Sequence, residues 1–266
     1  MYFHANAEDI GLSYCLLDTI RQTVKVNILA PEYPGYGIYN SINGKNWNVP
    51  QSNQSRINNN STYSNKTNKK KGQKSLSCTS KQIKEDSDCI YDFILENFEN
   101  IREKDIILYG RSMGSGPTVY LASTRSPGAV ILMSSYTSIK NVVYEKFSFF
   151  SMFISEQFDN LSLVHKIRSP TLFIHGKKDN LINWKHSEQL NKKCVNCITD
   201  ILLPEKMTHN EFDFYKDLIR PMLKFFLSIG IDTMGPSKRL PKITLNEIFF
   251  SDMDFERYFR RERMKN

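Results

Sequence analysis

The stretch ILYGRSMGSGPTVYLAS, residues 107–123, decides the fold. An apolar run ends at Gly110, a small polar cluster follows, and the chain continues with helix-forming spacing from Met113 to Ser123. Gly110-Arg111-Ser112-Met113-Gly114 fits the pattern Gly-x-Ser-x-Gly between a strand and a helix. Turning that sharply strains the central residue. Glycines on either side remove side chains that would collide in the turn. The turn lifts the Ser112 hydroxyl at the carboxyl end of a sheet. The N-terminus of the next helix points at the same place, where negative charge is stabilised. The Met113 backbone N–H is then set to donate to an oxyanion.

Outward from this stretch, strands and helices alternate. Apolar runs at 24–30, 105–110, 128–134, 171–176 and 197–203 read as strands. Residues 8–22, 82–98, 183–192 and 211–228 read as helices, and 138–157 as a Phe-rich helical or irregular segment. Near-continuous apolar strands alternating with helices indicate an α/β fold: a mostly parallel sheet with helices on both faces. The domain is expected over residues 1–230. Residues 41–80 interrupt it as a disordered Asn/Lys-rich insertion, with too little apolar surface to offset ordering entropy. A charged extension follows at 231–266, whose end, DFERYFRRERMKN, reads as a basic amphipathic helix that packs on the domain or frays, or else lies on a membrane.

A serine hydroxyl is a poor nucleophile until a base takes its proton. On this type of sheet the chain order is nucleophile, acid, histidine. Asp179 follows the strand in SPTLFIHGKKDNLI (169–182), and His209 follows the last strand in PEKMTHNEF (204–212). Ser112, Asp179 and His209 therefore stand in the required order, each in a loop after a separate strand. Asp179 would orient the imidazole and His209 would shuttle the proton. Each residue also has an ordinary reading, as a turn residue or a helix cap; their coincidence in order and context favours the catalytic one. A second oxyanion donor is expected from the backbone N–H of Asn6 or Ala5, in the loop after an earlier strand. The segment FSFFSMFISEQF (147–158) is read either as a wall or lid for an apolar chain or as ordinary packing.

The formal charge of +8 belongs to one segment: residues 41–84 hold nine Lys/Arg and no Asp or Glu, leaving the folded part mildly acidic. That argues against a nucleic-acid-binding domain. Five cysteines without framework spacing fit a reducing compartment, so a cytoplasmic protein is expected. The lone Cys194-Val-Asn-Cys197 reads as helix-end and strand cysteines rather than a zinc or redox motif. No run of about 18 apolar residues suggests a transmembrane helix.

Four stretches together resemble a known family. They are HANAEDIG (4–11), YPGYGIYNS (33–41), LYGRSMGSGPTVYLAS (108–123), and PTLFIHGKKDNLI (170–182) followed by MTHNEF (207–212). The chain resembles the α/β-hydrolase superfamily, most closely its α/β-hydrolase domain-containing protein 17 and 13 group, over roughly residues 1–228. The resemblance implies an α/β-hydrolase fold with Ser112, Asp179 and His209 as the charge relay, and no metal or organic cofactor. It implies a serine hydrolase acting on an S-acylated protein or a lipid-like acyl substrate, as a palmitoyl-protein thioesterase. The alternatives are another esterase or peptidase, or a scaffold on the same fold. Peripheral contact with the cytoplasmic face of membranes is part of the same expectation; relatives anchor through lipidated cysteines near their N-terminus. The sequence departs from its relatives in three ways. Ala5 stands where they have glycine, the 41–80 insertion replaces a short loop, and the chain begins inside a segment that they precede with further strands. The sheet is therefore expected to lack the first strands of the fold.

Overall fold

Five short parallel strands lie side by side in sequence order: β1 (Tyr2–Phe3), β2 (Ile107–Arg111), β3 (Ala129–Met133), β4 (Thr171–Ile174) and β5 (Thr199–Leu202). The computed structural model describes residues 1–37, 39, 78–147 and 157–233. The helices are α1 (Tyr14–Val24), α2 (Ser80–Asn97), α3 (Ser115–Thr124), α4 (Ile139–Phe147), α5 (Asn160–Leu163), α6 (Lys185–Lys193) and α7 (Arg220–Ser228). Register runs Tyr109↔Ile131↔Leu172 across the centre, with Phe173 opposite Ile201.

The central strands β3 and β4 read as apolar runs because both faces of the sheet are covered there, whereas edge strand β5 carries exposed Asp200. On one face Tyr2, Tyr109, Ile131, Met133, Leu172 and Ile174 pack against Leu16, Ile20 and Val24 of α1 and Met222, Phe225 and Phe226 of α7. The alternate residues Phe3, Leu108, Val130, Leu132 and Phe173 turn to the opposite face by the two-residue strand period, and all are buried. There α3 crosses β2 and β3, with α2 and α5 against it. Helix α3 is buried nearly all round, through Gly116, Pro117, Thr118, Val119, Leu121 and Ala122, as a central helix must be. All five strands deliver their C-terminal ends to one edge.

Three elements differ from expectation. The strand expected at 24–30 does not form a ladder: Val24 ends α1, and Lys25 closes it in the left-handed region. The extended segment beyond makes one backbone bond to the sheet, from Tyr2 N–H to Leu29 O at 2.9 Å. Its alternation survives, since Val26, Ile28 and Ala30 pack on the core, but a two-residue β1 offers too few partners for a ladder. The helix expected from residue 8 starts at Tyr14, because the acids ahead of it go elsewhere. Asp9 closes a turn on Leu12 N–H and Ser13 N–H, and Glu8 pairs with Arg111. The helix expected over 211–228 opens as a π turn at Phe214–Ile219, capped by Asp213. Pro221 has no N–H for the carbonyl four residues back, and the wider turn spares that bond.

Cys194 caps the C-terminus of α6, and its sulfur lies 3.4 Å from that of Cys197, just ahead of β5. Nearly all of the expected insertion, residues 148–156 of the Phe-rich segment and the chain from 234 lie outside the described residues. Among the described residues no helix is long and apolar enough to cross a membrane.

Candidate active site

The site lies at the C-terminal edge of the sheet, where backbone strain concentrates. Ala7 after β1, Ser112 after β2 and Ser134 after β3 all take positive φ, at 59°, 51° and 51°. Such residues cost about 1–3 kcal/mol each and persist only where packing enforces them. At Ser112 the enforcement is close contact. A Cβ on Gly110 would overlap Thr118 and the Gly114 carbonyl; one on Gly114 would overlap the carbonyls of Phe3 and His4. Gly114 therefore lets the end of β1 lie directly on the turn at Ser112. Gly114→Ala is expected to destabilise the protein by about 1–3 kcal/mol, read as a lower urea midpoint. An unchanged midpoint would contradict this packing.

Ser112, His209 and Asp179 form one hydrogen-bonded line. His209 Nε2 lies 3.1 Å from Ser112 Oγ, and His209 Nδ1 lies 2.7 Å from Asp179 Oδ2. All three residues are buried. Two crossings join the acid loop to the histidine loop: Lys177 N–H donates to Pro204 O and Lys178 N–H to Met207 O, both at 3.0 Å. A closed turn holds His209, in which Thr208 N–H donates to Glu211 O and Glu211 N–H returns to the Thr208 hydroxyl.

The Asp179 carboxylate is fully engaged. Oδ1 accepts from Leu181 N–H at 2.9 Å and Ile182 N–H at 2.8 Å. Oδ2 faces His209 and also His175 Nε2, 3.2 Å away. Burial opposes its ionisation, but hydrogen bonds from His175, His209 and the Ile182 N–H outweigh it, holding the carboxyl well below the usual carboxylate range. An ionised carboxylate only accepts, so His209 Nδ1 carries a proton. Nε2 is then left as the acceptor for the Ser112 O–H. That arrangement suits activation of a hydroxyl by a neutral imidazole.

A depressed carboxyl pKa has a defined consequence for stability. The unfolded chain takes up the proton first as pH falls, so the contribution of Asp179 is full above about pH 4 and is lost progressively below it. The stability difference between wild type and Asp179→Asn is expected to shrink as pH drops from 5 towards 2. Urea midpoints measured across that range check this, and a constant difference would contradict it.

The structure adds His175 to the acid, a residue that reads from sequence as a core histidine. Its Nε2 faces two acceptors, Asp179 Oδ2 and Ile182 O, so its Nδ1 accepts from the Ser187 hydroxyl at 2.7 Å. Ser187 in turn meets the Ser135 hydroxyl at 2.7 Å. This buried chain anchors the back of the carboxylate from α6 and the end of β3. The only sequence signal was the four-residue spacing between His175 and Asp179.

Of the expected oxyanion donors, Met113 N–H belongs to the first turn after Ser112, whose donors have no intrahelical partner. Ala5 N–H donates to Glu8 Oε2 at 3.3 Å. The Tyr36 hydroxyl joins the two loops, 2.5 Å from Asn6 Oδ1 and 3.9 Å from Met113 Sδ. Burial pushes the Tyr36 phenol up, so it stays a neutral donor. Among the described residues no group of three His, Cys, Asp or Glu side chains is arranged to hold a metal ion.

Residues 41–210 match the family described as serine hydrolase (FSH1). Alpha/beta hydrolase domain-containing protein 17B is 25% identical over 225 residues in both Xenopus laevis and Homo sapiens, covering 85% of this chain and 65% of theirs. Protein 17C of Mus musculus is 24% identical over 225 residues, covering 58% of its own length. The chain thus spans under two thirds of the length of these relatives. Among solved structures, acetyl xylan esterase 1 from Thermoanaerobacterium sp. JW/SL YS485 superposes with a TM-score of 0.54 at 14% identity, over 86% of this chain and 73% of that one. That likeness shows the α/β fold alone.

Proposed function

Because the chain belongs to the serine hydrolase (FSH1) family, we propose that it hydrolyses acyl thioesters, removing palmitate from S-acylated proteins through Ser112, His209 and Asp179. The observation that carries this reading is the line Ser112 Oγ–His209 Nε2–His209 Nδ1–Asp179 Oδ2, at 3.1 and 2.7 Å. His209 takes the Ser112 proton as Oγ attacks the thioester carbonyl, and Asp179 stabilises the imidazolium. The N–H groups of Met113 and Asn6 hold the oxyanion. His209 then protonates the leaving thiolate, and the acyl group passes to Ser112. In the second half the same imidazole takes a proton from water, which attacks the acyl-enzyme. The fatty acid leaves and Ser112 recovers its proton.

The acyl preference is supported by resemblance to the domain-containing protein 17 group and by apolar side chains near the site. Leu181, two residues beyond Asp179, and Phe214, five beyond His209, are half exposed or nearly so. Helix α4 carries exposed Tyr144, and Lys146 at its end donates to Asn180 O at 2.5 Å, beside the acid. An S-acylated substrate would bring the protein against the cytoplasmic face of a membrane.

The test compares hydrolysis of a palmitoyl thioester, a short-chain ester and an amide, alongside labelling by a serine-reactive fluorophosphonate. Labelling with preference for the palmitoyl thioester is the expected result. Labelling with preference for the short ester or the amide makes the protein an esterase or peptidase. A folded sample that does not label is a scaffold.

A further inference from the structure

We infer that Arg111 and Glu8 act as one positioning ion pair, which sets the relative placement of nucleophile, base and oxyanion loop. This rests on the reading of Ser112 and His209 as the reacting pair. Arg111 occupies the first variable position of Gly-x-Ser-x-Gly, which the pattern leaves open. Here it is not a surface residue, since its side chain is 6% exposed. A guanidinium taken out of water costs several kcal/mol unless its donors are satisfied. The Nη1 and Nη2 donors of Arg111 reach two separate loops.

The first arm is the ion pair of Nη1 with Glu8 Oε1. The second runs from Nη2 to the backbone carbonyl of His209 at 3.0 Å and to Asn210 Oδ1 at 3.2 Å. The guanidinium also stands over the Phe212 ring, 5.7 Å from its centroid. Arg111 therefore grips the loop of the base from behind while Asp179 grips its ring from the side. The peptide that carries the guanidinium also carries Ser112, so the Ser112–His209 distance is set through this residue as well as through the hydrogen bond between them.

Glu8 completes the device. Its other oxygen accepts from Ala5 N–H at 3.3 Å and from the Ser13 hydroxyl at 3.5 Å. By accepting from Ala5 N–H it ties down the loop after β1. One ion pair thus links a residue beside the nucleophile, the backbone of the base and the loop after β1. Planar Arg can serve Glu8 and a carbonyl on its two arms at once; a lysine ammonium is a point charge without that fork.

The test uses Arg111→Lys, Arg111→Met, Glu8→Gln and the Arg111→Lys/Glu8→Gln double variant. It measures kcat and KM on a palmitoyl thioester, the rate of fluorophosphonate labelling under excess probe, and thermal unfolding. Displacements of about 1 Å at a reacting group cost up to about a hundredfold. The expected result is a fall in kcat of about 10- to 100-fold with KM within about threefold, and a parallel fall in labelling rate per folded molecule. The double variant is expected to lose no more than the worse single, since both break the same strap. If Arg111→Met does not fold, Arg111→Lys and Glu8→Gln decide. A kcat and labelling rate per folded molecule that match wild type, with only the melting temperature lowered, would make the pair merely structural and overturn the inference. Multiplying effects in the double variant would also overturn it. Wild-type protein labelled at Ser112 with unaffected Arg111 variants sinks the strap alone. Labelling that survives Ser112→Ala sinks the reading of the nucleophile, and the strap with it.

Discussion

Ser112→Ala is expected to leave a folded protein that no longer labels with fluorophosphonate and turns over about a million-fold more slowly. The change removes one atom, Oγ, whose partner is His209 Nε2 at 3.1 Å. Alanine keeps a Cβ, so the strain of φ 51° at this turn is neither relieved nor increased. The glycine contacts that enforce the turn are untouched. Stability should therefore stay within about 1 kcal/mol of wild type, the usual scale of one hydrogen bond. What disappears is the hydroxyl that faces the His209 Nε2 acceptor and, in the proposed mechanism, takes the acyl group from the substrate. Turnover within tenfold of wild type, at equal folded concentration, would mean that another group does the chemistry.

The second large effect is expected from Asp179→Asn, with kcat down about ten-thousand-fold. The cause lies in the bonding of the carboxylate. Oδ1 accepts from two backbone N–H groups, of Leu181 and Ile182. An asparagine must give those donors its oxygen, so its NH2 faces His209 Nδ1 and His175 Nε2. Donor would then meet donor, and His209 is driven to the tautomer with the proton on Nε2. In that form the nitrogen facing Ser112 donates and cannot take the serine proton. Kinetics give the size of the effect, and nitrogen NMR of the histidines gives the tautomer. A variant with near-normal kcat, or with the proton still on Nδ1, would show that Asp179 does not set the imidazole.

The two effects differ in how far the sequence anticipates them. Ser112 announces itself, because a strand, a Gly-x-Ser-x-Gly turn and a helix are consecutive in the chain. Asp179 and His209 are legible by order and by their places after strands, although His209 lies 97 residues from its serine. Their neighbours are not legible. His175 looks like one more buried residue at a strand end, until its Nε2 is found 3.2 Å from Asp179. The hold of Glu8 on the Ala5 N–H is likewise invisible in the sequence. Arg111 fills a position that any residue type could fill. The misread strand at 24–30 and the late start of α1 have the same origin: apolar alternation and acids near a helix start are local signals, and tertiary partners overrode both.

The sequence by itself determined the order of strands and helices, the burial of both sheet faces and the strained turn at Ser112, because these follow from periodicity and local sterics within a few residues. Only the tertiary structure decided which donor faces which acceptor at the rim. Those pairings join loops a hundred residues apart, as Arg111 does with Glu8 and His209. They are selected by desolvation, since a buried charge or amide must find a partner wherever the folded chain brings one.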